Sequence, residues 1–264
     1  MAFGVSDDLL SIFVPVSVYW LYSAMYTALD WLGVSDSYRL YPKEDEETKN
    51  LASKSKSAVL KSVVLQQAGQ VAVQLLIMKF DNGPVRKQPS LPVVALQFIV
   101  AMLVMDTYQY FMHRYMHTNK FLYKHIHAKH HTLVVPYCFG ALYGTQLEGF
   151  FMDTASATLG FLISGMTART AIFFFSLANL KSVDDHCSMW LPWNPLHLVF
   201  GNNTVFHGIH HQLYGNKYNF SQPFFVHWDK IFGTYMPYTV EDRKGGGLEV
   251  RPLKNAVAAQ RKSD

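Results

Sequence analysis

The sequence predicts an all-α integral membrane helical bundle, with about four hydrophobic regions and a cytosolic, histidine-rich di-metal subdomain. Three observations predict it. Half of the 264 residues are hydrophobic, 15% are aromatic and only 16% are charged, where a soluble domain carries about 25% charged residues. Several apolar stretches approach the roughly 20 residues that a spanning helix needs. Twelve histidines fall in repeated short spacings just outside those stretches.

Each element has its own signal. Residues 9–29 hold no charge and are rich in Leu, Val, Ile, Tyr and Trp; they predict a first span, ended by Asp30. This stretch is too long for a cleaved signal and lacks a basic flank, so it reads as a retained helix. Residues 36–57 are a charged loop. A second, weaker span runs over about 58–80, and its Gln66, Gln67, Gln70 and Gln74 predict a helix packed on protein partners. Gly and Pro make 82–92 a turn. The third span covers about 92–112 and carries Asp106. A polar, His-rich segment comes next, and then a fourth hydrophobic region over about 149–180. Gly165 and Arg169 break that region into a helical hairpin with its tip at 164–170. The resulting organisation is 1–112 N-terminal transmembrane helices, 113–147 a cytosolic His-box segment, 148–180 a transmembrane hairpin, 181–240 a cytosolic His-box subdomain and 241–264 a flexible tail.

Charge fixes the orientation. With the N-terminus lumenal, the loops on its side carry only Arg86, Lys87 and Arg169, while the opposite face receives the other basic loops and the basic C-terminal segment. All histidine clusters then face the cytosol. The net charge of +4 comes without the basic, aromatic-interleaved stripe of a nucleic-acid site. Cys138 and Cys187 are too few and too far apart for a disulfide framework or a CxxC site.

The chemistry lies in four groups. His113 and His117 are i, i+4 on a helix that continues the third span. His127, His130 and His131 are i, i+3, i+4, and His207, His210 and His211 repeat that spacing; His186 stands alone. Positions three and four apart share a helix face, and imidazole suits iron, zinc and copper. These nine residues suffice for two metal ions. Asp184 and Asp185 are placed to hydrogen-bond a ligand ring. Asp106, two turns below His113, either meets substrate, supports the metals or is paired within the bundle; Tyr110 and Glu148 are weaker candidates of the same kind. His125, His197 and His227 lie outside the repeated spacing and are left open. A zinc transporter would place its ligands near the bilayer midplane, whereas these lie at the membrane exits.

HRYMH, HIHAKHH and HGIHH together resemble the fatty acid hydroxylase / sterol desaturase superfamily of membrane di-iron enzymes. SVDDHCSMWLPWNP, NNTVFHGIHHQLYGNKYNFSQPFF and WDKIFGTYMP narrow the resemblance to the sphinganine C4-monooxygenases, the plant forms especially. One departure is Thr145-Gln146, where such enzymes often carry a His-Pro pair. The resemblance implies hydroxylation of carbon 4 of sphinganine or dihydroceramide with O2. It implies two irons (zinc in isolated protein), electrons from NAD(P)H through cytochrome b5 and its reductase, and a multi-pass endoplasmic reticulum location. Arg261-Lys262-Ser263-Asp264 reads as a retrieval tail or a plain solvated end. A sterol C-4 methyl oxidase, another lipid hydroxylase or desaturase of the superfamily, or a non-catalytic histidine-metal membrane protein stand as alternatives. Homo-oligomers and lipid-synthesis partners are left open.

Overall fold

In the computed structural model, which describes residues 4–50, 55–80 and 86–253, five helical rods, two of them the arms of one hairpin, stand side by side with a cap of shorter elements at one end. The helices are α1 (Asp7–Trp31), α2 (Lys43–Lys49), α3 (Lys56–Phe80), α4 (Leu91–Thr118), α5 (Lys120–Leu122), α6 (Gln146–Gly149), α7 (Ser156–Ser164), α8 (Ala168–Asp185), α9 (Pro195–Val199), α10 (Thr204–His211) and α11 (His227–Ile231). A hairpin of β1 (Tyr238–Asp242) and β2 (Leu248–Pro252) closes the described chain.

Helices α1, α3 and α4 are each long and apolar enough to cross a membrane. Their local signals agree. Ser6 accepts the Leu9 N–H at the start of α1, ahead of Asp7 and Asp8, and a proline opens α4. Leu21, Leu65, Leu96 and Ile99 point outward and are more than half exposed. In water such rows would form an aggregating apolar surface; against lipid they are satisfied. The fourth hydrophobic region forms the expected hairpin. One arm runs through α6, a π-helical turn (Phe150–Ala155) and α7; Gly165, left-handed at φ 65°, turns the chain, and Thr167 caps α8. Helix α1 packs along α8, and α4 along α7. The glutamines of α3 do meet partners: Gln66 and Gln70 donate to Asp153, and Gln67 accepts from the Trp20 indole.

At one end of the bundle Arg169 pairs with Asp7 at 3.0 Å, and Gln97 donates to the Gly165 carbonyl. The C-terminal ends of α1, α4 and α8 therefore meet at the other end, where the histidines gather. There the buried Arg39 pairs with Asp30 and Glu46. Leu40, Tyr41, Val205 and Ile209 form a small core with Val240, Leu248 and Val250.

That last contact corrects one boundary. Residues 241–253 are not a loose tail, because the antiparallel pairing of Val240 with Val250 folds them onto α10. Alternation over five-residue strands is too brief a signal beside a run of glycines. Residues 254–264, and residues 82–85 of the turn at 82–92, lie outside the described residues.

Candidate metal centre

Nine histidines converge in two adjoining groups. His113, His117, His127, His131 and His210 form one, and His130, His186, His207 and His211 the other, with the potential ligand atoms of each group within 4.8 Å of one another. The division crosses the motifs. Each HxxHH box supplies both groups, while the HxxxH box serves one.

The second box departs from the helix that its spacing predicts. Tyr123–His127 is a π-helical turn and His130–Thr132 a tight 3₁₀ turn. His130 enters the other group, apart from His127 and His131. The third box lies on a regular helix, α10, which Asn203 caps through the Val205 and Phe206 N–H groups. Burial of all its residues turns His210 and His211 to the two groups on either side.

The outer nitrogens of five of the rings are held by acceptors. Nδ1 of His113 meets the Phe220 carbonyl at 2.8 Å, His130 the Tyr143 carbonyl at 2.9 Å, His186 the Ser182 carbonyl at 2.8 Å and His210 the Tyr218 carbonyl at 2.7 Å. A carbonyl oxygen only accepts, so each of these Nδ1 atoms carries the proton, and Nε2 of the neutral ring presents a lone pair. His127 Nδ1 faces Glu148 Oε1 at 2.7 Å. The inner nitrogens crowd together: His127 Nε2 lies 3.0, 2.8 and 3.0 Å from Nε2 of His113, His117 and His131, and His207 Nε2 lies 3.0 Å from those of His186 and His211. Lone pairs aimed at one another repel unless a cation lies between them. This donor set fits a pair of imidazole-loving metal ions.

Burial also keeps the rings neutral. It holds His130 down to about 4 and His186 down to about 3. It lowers His127, His131, His207, His210 and His211 as well, with neighbouring imidazoles adding to the effect.

The chain around the centre explains the long run through residues 213–225. Phe220 and Tyr218 lend their carbonyls to His113 and His210. Asp229 accepts the Phe220 and Ser221 N–H groups, and Asn219 ties Phe206, Thr234 and Met236 together. Gly215 is required, because a Cβ there would stand 1.8 Å from the Ile209 carbonyl oxygen of α10.

The other candidates have definite places. Both carboxylate oxygens of Asp106 accept backbone N–H groups, from Phe224 at 3.1 Å and Phe225 at 2.6 Å. Tyr110 joins Thr234 and Arg114 and stacks on Phe232. Asp184 gathers Tyr22, Tyr26, Asn194 and His197, tying α1 to the loop after α8. Asp185 pairs with the buried Lys181. Of the three histidines left open, His125 rests on Phe121, His197 stacks on Trp190 and His227 sits beside Phe225 and Trp228; none enters either group. Glu148, weakly ranked from sequence, is the carboxylate that touches a ring of the centre. Its signal is a lone acid at the start of an apolar run. Asp153, in the same apolar run, carries a similar signal. Thr145, at the departure from the usual His-Pro, caps α6 in a reciprocal pair with Glu148 and donates to the Ile126 carbonyl.

A cavity of about 1350 Å³ opens from His127, His130, His186 and His207 and descends between the long helices to Arg86 and Arg169 at the opposite end. Met105, Met152, Phe161, Ala171 and Phe175 line its apolar wall, and Gln66, Gln70, Asp153 and Asn179 its polar one.

The fatty acid hydroxylase family model matches residues 98–234. The chain is 57% identical over 258 residues to sphinganine C4-monooxygenase 2 of Arabidopsis thaliana, covering 96% of this chain and 98% of the relative. It is 51% identical over 253 residues to a very-long-chain aldehyde decarbonylase of Oryza sativa subsp. indica, covering 95% and 97%. It is 39% identical over 260 residues to the sphingolipid C4-hydroxylase of Schizosaccharomyces pombe, covering 86% and 88%. No solved structure matches the chain.

Proposed function

The chain belongs to the fatty acid hydroxylase family, and from that premise we propose that it hydroxylates carbon 4 of a sphingoid base at a di-iron centre held by the nine clustered histidines. The observation that carries this reading is the cavity. It joins paired imidazole clusters to a long, partly apolar space inside a membrane bundle, which suits a single-chain lipid better than a water-soluble substrate. Bound iron would supply the chemistry: O2, two electrons and two protons convert a methylene C–H to C–OH, with the second oxygen leaving as water.

The protein's own residues do the rest. The carbonyls of Phe220, Tyr143, Ser182 and Tyr218 and the carboxylate of Glu148 fix the ring orientations before metal arrives. The walls from Met105, Met152 and Phe175 exclude water and align the alkyl chain. The centre gathers at the C-terminal ends of α1, α4 and α8, and the charge bias of the loops supports a cytosolic position for it. At the endoplasmic reticulum that position lies within reach of reduced cytochrome b5. Free base and N-acylated base both remain within this reading.

The test is lipid analysis of yeast lacking its own sphingolipid C4-hydroxylase, expressing this chain or His210→Ala. The proposal expects 4-hydroxylated bases with the first and none with the second. Absence of those bases from cells that hold the intact protein in the endoplasmic reticulum overturns the sphingoid assignment. The identity with the rice decarbonylase favours one second reading, cleavage of long-chain aldehydes, which the same extracts would show as alkanes.

A further inference from the structure

The cavity holds an acid that the metal centre does not use. Asp153 sits on the π-helical turn Phe150–Ala155, five residues beyond Glu148, in the wall of the space that reaches His127 and His130. Its Oδ2 accepts from the side-chain amides of Gln66 at 3.2 Å and Gln70 at 3.1 Å. Among the described residues no Lys or Arg pairs with it, although each ion pair formed elsewhere joins an acid to a base. A carboxylate inside a membrane bundle is costly and marks a ligand path by default. Nearby, the Gln66 side-chain oxygen is buried with no partner. A carboxylate without a cation and an acceptor without a donor therefore stand side by side in one wall.

The local backbone is shaped to put them there. A π turn inserts one residue and rotates the next stretch of helix, and such turns recur at functional sites. The Met152 carbonyl is satisfied from outside by the Gln109 amide at 2.9 Å, which also holds Ser156 Oγ at 2.8 Å. Gly149 leaves room for Gln66 to reach Asp153, since a Cβ there would lie 2.3 Å from the Gln66 nitrogen. Three elements thus cooperate to hold one acid toward the cavity.

We propose that Asp153, held by Gln66 and Gln70, seats the ammonium group of the sphingoid base and so selects the carbon presented to the metal centre. The inference rests on the sphingoid reading above. The amine is borne on carbon 2, two carbons from the site of hydroxylation, so a fixed seat for it fixes carbon 4 as well. The free Gln66 oxygen would accept from the ammonium or a neighbouring hydroxyl. The alkyl tail then runs along the opposite wall of Met105, Phe161, Ala171 and Phe175. An N-acylated base has no ammonium to offer, so the seat favours the free base.

The experiment compares detergent-purified, iron-loaded wild type, Asp153→Asn and Asp153→Glu on sphinganine and on N-acetylsphinganine, with reduced cytochrome b5. Direct binding of both lipids is measured beside turnover. Asp153→Asn is expected to raise KM for sphinganine by about tenfold or more, the scale of one charged hydrogen bond. It should spread the product to neighbouring carbons, weaken N-acetylsphinganine far less than sphinganine and leave iron content unchanged, with Asp153→Glu recovering part of the loss. Equal losses on both lipids, or none on either, overturn the seat while wild-type turnover upholds the reaction. Wild type that binds sphinganine in preference to its N-acetyl form, loses that preference in Asp153→Asn, yet forms no 4-hydroxylated product, upholds the ammonium seat and overturns the reaction.

Discussion

Glu148 offers the sharpest test of the metal centre. His127 is the hub of its group, with Nε2 within 3.0 Å of three other rings, and among the described residues its hold on the outer side is Glu148 at 2.7 Å. Replacing Glu148 by Ala leaves the buried Nδ1–H with no acceptor and lets the ring turn. Loss of such a partner weakens metal binding by about 10–100-fold, or about 1.4–2.7 kcal/mol. Glu148→Gln keeps an accepting oxygen without its charge and should fall between Ala and wild type. The capping bond to Thr145 is long at 3.4 Å, so it adds little to the effect. The assay is metal loss from purified protein against a chelator, with metal counted by mass spectrometry and melting followed in parallel. Glu148→Ala that holds its metal as long as wild type does would refute the argument.

Other outcomes come from the same geometry. Asp106→Ala unpairs two buried N–H groups, at about 1–3 kcal/mol each; melting should drop by about 2–6 kcal/mol, and His113 should lose hold as the Phe220 loop loosens. Removing Lys181 leaves Asp185 buried without its partner, so Lys181→Met should cost about 3–5 kcal/mol, with Lys181→Met/Asp185→Asn recovering much of it in thermal melts. His125→Ala should keep full metal content and turnover, since its ring lies on Phe121 outside both groups. Acid should destabilise the metal-free protein. His130 and His186 are held at about 4 and about 3, below the ordinary 6.5, so the unfolded chain binds more protons in between. Stability is then whole above pH 6.5 and falls toward about pH 3–4, by about 3 and about 5 kcal/mol from the two groups. A melting temperature that stays flat from pH 7 to 4.5 contradicts this.

Local and periodic features were legible in the chain alone. Apolar length marked α1, α3 and α4, because lipid forces every backbone polar group into a helix and leaves only length and hydropathy to read. Gly165 and Arg169 marked the hairpin tip, and the His spacings marked the residues that meet. Features that depend on approach between distant segments were settled by packing. The division of the nine histidines into five and four splits both HxxHH boxes in the same way, although one sits on π and 3₁₀ turns and the other on a regular helix; which box meets which group is set by how the segments pack. Asp106 lies on the same face as His113 in sequence, yet its oxygens are taken by the backbone of residues 224 and 225, more than a hundred positions away. The β-hairpin is ordered by Leu40 and α10 rather than by its own pattern. Glu148 and Asp153 look alike as acids in one apolar run. Only packing separates them, turning one to an imidazole and the other to a lipid-sized cavity.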